Sequence, residues 1–122
     1  MLDPATLLTD ADALPILSFD WGTLQWLCNG ELLPGTTQTV GICLLHPGKS
    51  NPLHFHPNCE EILYVTQGQG KHLLDDQWVP VRPGSVVRIP IAMKHQLVNT
   101  GQDSLNTIIV FSSADRQTVF LE

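Results

Sequence analysis

The sequence predicts an all-β fold, a sandwich or barrel built from short strands. Three observations lead there. Segments rich in β-branched and aromatic residues recur at roughly 8–12-residue spacing. Nine glycines and nine prolines punctuate them, many at close intervals. No long segment with a helical period competes.

Residues 1–15 read as a solvated N-terminal arm ending at Pro15, with residues 16–122 as a single domain. Asp10, Asp12 and Asp20 make this region of the chain locally acidic, and Pro4 is only a weak helix-start signal. Strands are then expected at Ile16 to Phe19 and Leu24 to Cys28, separated by Asp20-Trp21-Gly22. Gln38 to Leu45 is a longer one, stopped by Pro47-Gly48. His54 to His56 is a short strand, and Glu61 to Thr66 a strongly β-prone one that ends at Gly68-Gln69-Gly70. Lys71 to Leu74 and Gln77 to Pro80 flank Asp75-Asp76 as a hairpin. Ser85 to Ile89, Gln96 to Val98 and Leu105 to Phe111 follow, with turns at Pro83-Gly84 and Asn99-Thr100-Gly101. Ser113 to Leu121 fits helix and strand alike.

Composition narrows the function. At 122 residues and 43% hydrophobic content, the chain forms one domain with a core. Twelve acidic residues outweigh six basic ones, for a net charge of -6. The six cations are scattered, so neither a nucleic-acid footprint nor an electrostatic membrane anchor is expected. No apolar run approaches the roughly 20 residues of a spanning helix. The acidic N-terminus lacks the cationic start of a secretory signal. Cys28, Cys43 and Cys59 are odd in number and lack CxxC spacing. They point to a reducing, cytoplasmic setting rather than a disulfide framework.

The chemistry lies in the histidines. His54 and His56 stand at i and i+2, which on a strand places both imidazoles on one face. Glu61 opens the next strand and His95 precedes a later one. Imidazole nitrogen with carboxylate oxygen suits Fe, Mn, Ni, Cu, Co or Zn. The surrounding spacing is more specific. Gly48, His54, His56, Glu61 and Gly68 follow the pattern G-x5-H-x-H-x4-E-x6-G. Gly84, Pro90, His95 and Asn99 follow G-x5-P-x-A-x2-H-x3-N. On these two motifs the chain resembles the cupin superfamily, in the manner of its small bacterial single-domain members. The first motif matches at every fixed position. In the second, Ala92 stands where the family has glycine, which bears on a loop conformation and leaves the ligand alone.

The resemblance implies a jelly-roll β-barrel of two antiparallel sheets and a homodimer. It also implies one divalent transition metal held by His54, His56, Glu61 and His95. Glu60 is the alternative to Glu61, and the six-residue interval to Gly68 favours Glu61. Strand alternation from Glu61 sends Leu63 and Val65 inward and Tyr64, the only tyrosine, outward. Leu97 shares the inward face with His95, so the pocket should be apolar and short of proton-transfer groups. Cys59, His46 and His72 read as packing, turn and hairpin residues. Gln38, Arg88 and Lys94 lie within reach of a barrel mouth, although ordinary surface roles suit them better. Trp21, Trp26 and Trp78 read as core or interface anchors.

Two function classes follow. One is a metalloenzyme acting on a small organic molecule, as a dioxygenase, decarboxylase, isomerase or lyase. The other is a non-catalytic module that binds or senses a small molecule. The chain has no room for a DNA-binding domain, which disfavours a direct transcription regulator. A purely structural barrel is the blandest reading.

Overall fold

The computed structural model describes residues 2–122. The arm forms two exposed 3-10 turns, Pro4–Leu7 and Ala11–Ala13. The Gln25 side-chain amide ties it down by donating to the carbonyls of Ala11 and Leu14. Eleven strands follow in order: β1 (Leu17–Phe19), β2 (Gly22–Cys28), β3 (Thr39–Leu45), β4 (His54–Phe55), β5 (Glu61–Gln67), β6 (Gly70–Leu74), β7 (Gln77–Val81), β8 (Val86–Ile89), β9 (His95–Asn99), β10 (Leu105–Phe111) and β11 (Val119–Phe120). The undecided C-terminal stretch is thus mostly irregular, with a two-residue strand at its end.

All pairings are antiparallel and make two sheets. One has the order β1-β2-β3-β10-β5-β8 and the other β11-β4-β9-β6-β7. This is the jelly roll that the motifs imply, with one correction. The sheets face each other as separate layers, and no ladder joins them into a closed barrel.

Alternation builds the core. β3 and β10 each bury every second residue, so Cys43 faces Thr107 and Leu45 faces Leu105 across the ladder. Leu63 and Val65 of β5, Ile89 of β8 and Leu97 of β9 complete the layer. Full burial of each such aliphatic side chain stabilises by about 1.5–3 kcal/mol. Buried polar groups are matched: the Thr107 hydroxyl donates to the Cys43 carbonyl, and the Asn99 amide donates to the carbonyls of Leu45 and Asp103. Asn99, the last residue of the second motif, is therefore a tie between β3 and the turn after β9. Gly68 is required where it stands. Its φ is +89°, and a Cβ would lie 2.5 Å from the Ser104 carbonyl oxygen.

Tyr64 is 42% exposed, on the outer face as alternation requires. His46 is exposed at the strand end, and Cys59 is buried in its loop.

Candidate metal centre

The site spans both sheets. Glu61 is the first residue of β5, in the six-stranded sheet. His54 on β4 and His95 at the start of β9 are cross-strand partners in the other sheet. His56 lies just past β4 on the same face as His54. One donor atom from each residue falls within 4.8 Å of the others. The structure thus brings together all four residues that the motifs single out. Glu60 points away and pairs with Arg88 outside, Oε1 to Nε at 2.7 Å.

Backbone contacts fix the proton on each imidazole. His54 Nδ1 lies 2.6 Å from the Pro52 carbonyl oxygen, His56 Nδ1 2.9 Å from that of Gln117, and His95 Nδ1 2.9 Å from that of Met93. A carbonyl only accepts, so each Nδ1 carries the hydrogen and donates it. The Nε2 atoms are left as lone-pair donors. Glu61 Oε1 is 3.2 Å from Nε2 of both His56 and His95. None of these three buried atoms makes a hydrogen bond.

Burial pushes the Glu61 carboxyl upward, but the facing His56 and His95 more than offset it and hold the group well below the usual carboxylate range. Burial and the neighbouring His95 lower His54 to about 4. The Glu61 carboxylate oxygen and the Nε2 atoms of His56 and His95 thus meet 3.2 Å apart in a buried place, without a hydrogen bond among them. Unpaired buried polar atoms are costly. A cation is what this donor set fits.

Beside the cluster lies a cavity of about 180 Å³. Trp21, Trp26, Leu63, Leu97, Ile109 and Phe111 supply much of its wall. The apolar pocket expected from alternation is present. Trp21 stacks on Phe19 at 4.8 Å, and Trp26 meets Phe111 edge-on at 6.1 Å. Burial pushes the Cys43 thiol up to about 12, so this wall residue stays protonated at neutral pH.

Gln38, Arg88 and Lys94 do not line this cavity, in keeping with the ordinary surface roles that suited them better. Lys94 pairs with Asp76 at 3.2 Å, Arg88 with Glu60, and Gln38 is exposed. Sequence reasoning missed two features. His72 is only 1% exposed and stacks on His95 with centroids 5.8 Å apart. Its β6 position opposite the inward Leu97 was the available signal. Arg116, Thr118 and Phe120 also line the cavity. Their i, i+2, i+4 spacing is a strand-like alternation within a stretch that has little regular structure.

Comparison with known proteins agrees with this architecture. The family model described as Cupin domain matches residues 41–111. The polyketide synthase CurC of Streptomyces cyaneus is 30% identical over 91 residues, covering 75% of this chain and 59% of that protein. The chain thus spans less than two thirds of that relative's length. An uncharacterized protein of Methanocaldococcus jannaschii is 26% identical over 109 residues, covering 88% of this chain and 87% of its own. The crystal structure of a Lactobacillus farciminis oxalate decarboxylase formate complex superposes with a TM-score of 0.83 and 27% identity, over 90% of this chain and 34% of that one. With both motifs seated on the two-sheet scaffold and the family match covering more than half its length, the chain belongs to the cupin family.

Proposed function

We propose that the chain holds one divalent transition metal through Nε2 of His54, His56 and His95 and a carboxylate oxygen of Glu61, and acts on a small organic molecule. One observation carries this: the Nε2 atoms of His56 and His95 meet the buried Glu61 carboxylate at 3.2 Å without a hydrogen bond, and a ring nitrogen of His54 lies within 4.8 Å of the same group. Neutral imidazole and carboxylate together suit Fe, Mn, Ni, Cu, Co or Zn. When bound, such an ion supplies Lewis-acid polarisation of a substrate oxygen or activation of dioxygen.

The chain's own residues set the conditions. The carbonyls of Pro52, Gln117 and Met93 hold the three rings in one tautomer and orientation. The aromatic and aliphatic wall excludes water and receives the apolar part of the substrate. Proton-moving groups are scarce there, because the Cys43 thiol stays protonated and Thr118 offers only a hydroxyl. That scarcity favours chemistry carried at the ligand set. The same scarcity supports a second reading, a module that binds or senses a small molecule without turnover. The relative named a polyketide synthase and the likeness to an oxalate decarboxylase support enzymatic use of an oxygen-bearing substrate.

Elemental analysis of untagged protein tests the reading. Close to one equivalent of metal per chain is expected, lost in His95→Ala. Protein that takes up no metal even after incubation with Mn, Fe, Zn and Ni salts overturns it. Iron would direct substrate screening to dioxygenase chemistry, and zinc or nickel to lyase or isomerase chemistry. Loaded protein that binds but never converts small acids, phenols or sugars belongs to the second reading. The three free thiols support a reducing, cytoplasmic location, and no helix among the described residues is long and apolar enough to cross a membrane.

A further inference from the structure

We propose that Arg116 is a specificity-determining residue of the cavity, binding an anionic oxygen (carboxylate or enolate) on an organic ligand whose body is a single apolar ring. This deepens the function proposed above and rests on that reading for the ligand's place beside the cluster.

Arg116 is a lone cation set into an apolar wall. Its guanidinium carbon lies 4.4 Å from the Trp26 ring centroid and 5.3 Å from that of Phe111. Both rings line the cavity, and Phe111 in turn meets His56 edge-on at 4.9 Å. Among the described residues, the lysine and arginine ion pairs are Arg88 with Glu60 and Lys94 with Asp76, and Arg116 joins neither. One of its nitrogens donates to the Thr118 hydroxyl. A guanidinium has five N–H donors in a planar fork, and the remaining ones meet no acceptor side chain among the described residues. Burial pulls its acidity constant down from the usual range, with Glu61 acting in the opposite sense. The charge is therefore partly withdrawn from water, and among the described residues no carboxylate lies within ion-pair distance of it, although Glu31 and Asp115 share a second, polar opening on its other side.

Cation–π contact with Trp26 and Phe111 holds the guanidinium in place without using up its donors. The Thr118 hydroxyl, 3.2 Å from His56 Nδ1, links this arginine to the ligand cluster. A cavity of about 150 Å³ takes a benzene ring, so the 180 Å³ here admits one ring with its substituent. Apolar walls receive the ring, and the fork receives the oxyanion in the paired geometry that arginine favours.

The test compares benzoate with benzamide, which share shape and differ in charge. Binding to the full-length protein is measured by calorimetry at pH 7, metal-loaded and metal-free. The wild type should prefer benzoate at least tenfold. Arg116→Gln should bring the two ligands within about twofold of each other while metal content stays unchanged, and Arg116→Lys should recover part of the preference. An equal preference in wild type and Arg116→Gln overturns the proposal, as does a wild type that binds neither ligand or favours benzamide. A preference that persists without metal and depends on Arg116 keeps the proposal even if the metal assignment fails. Should Arg116→Gln not fold, phenylglyoxal labelling of the wild type decides. Protection of Arg116 by benzoate and not by benzamide supports the proposal, and equal labelling overturns it.

Discussion

His54 and His95 face each other across the β4–β9 ladder, with ring centroids 4.2 Å apart and planes tilted by 58°. Cross-strand neighbours on one face are close by necessity. Here that closeness places two imidazoles side by side, each pinned by a carbonyl of its own strand's approach. The pair supplies half the donor set from one sheet, and Glu61 answers from the other. The site therefore depends on how the two sheets stack, and it should be sensitive to the charge that bridges them.

Glu61→Gln isolates that charge. The amide keeps the shape, removes the negative charge and adds N–H donors that can bond to the imidazole lone pairs. Metal-free Glu61→Gln should melt at or above the metal-free wild type, because the unmatched lone pairs gain partners. Its metal-dependent stabilisation should vanish, a loss of roughly 4 kcal/mol at metal concentrations a thousandfold above the dissociation constant. Thermal melts with and without metal check this. A variant still stabilised by metal as the wild type is would remove Glu61 from the ligand set.

Much of the fold and of the site was legible because both rest on short-range rules. Period-two alternation put Leu63, Val65 and Leu97 inside and Tyr64 outside, and the structure agrees. The His54/His56 spacing gave a shared face. What was hidden depended on long-range packing. Arg116 reaches the cavity because residues 112–118 run past β4, with His56 Nδ1 donating to the Gln117 carbonyl and the Asn58 amide donating to that of Asp115. No local pattern reveals that route. The parity of His72 was readable, but whether its face was covered depended on where β9 lay. The open edge between the sheets likewise follows from the three-dimensional ladder order, which strand spacing does not encode.

Ala92 bears a strain that a single substitution should relieve. Its φ is +67°, in the left-handed region, and its N–H donates to the His56 carbonyl at 2.9 Å. A non-glycine residue there costs about 1–2 kcal/mol. Glycine would remove that cost while adding roughly 0.4–1 kcal/mol of unfolded-state freedom. Ala92→Gly should therefore be neutral to about 1 kcal/mol more stable in urea titrations, with metal content unchanged. A clear destabilisation would mean that the Ala92 methyl contributes packing which offsets the strain.

Acid should destabilise the metal-free protein through its buried histidines. Burial, first of all, lowers both His54 and His72 to about 4 from an ordinary 6.5. Between these values the unfolded chain binds protons that the folded chain does not. Their stability contribution is complete above about 6.5 and is lost as the pH falls toward 4. Each histidine adds a slope approaching 1.4 kcal/mol per pH unit in that window. Urea titrations of metal-free protein at several pH values should show it, and His72→Phe should remove about half of the slope. An unchanged slope in His72→Phe would show that His72 takes up its proton equally in both states.

The edge of the larger sheet predicts assembly. β1 pairs only with β2, and all three of its residues are exposed, Leu17 and Phe19 among them. Ile16 beside it is also exposed. An apolar strand with free backbone groups is a template for another strand, and a two-fold axis would let two copies cover each other's edge. We therefore propose a homodimer through β1. Light scattering should give about twice the 13.5 kDa chain mass at micromolar concentration, and Leu17→Lys should shift the population to monomer with its fold intact. Phe19 stacks on Trp21 and lines the cavity, so a partner strand laid along β1 would also narrow the cavity's mouth. Dissociation by Leu17→Lys should then weaken ligand binding without loss of metal. A wild type that stays monomeric across the micromolar range would leave both the edge and the mouth open to solvent.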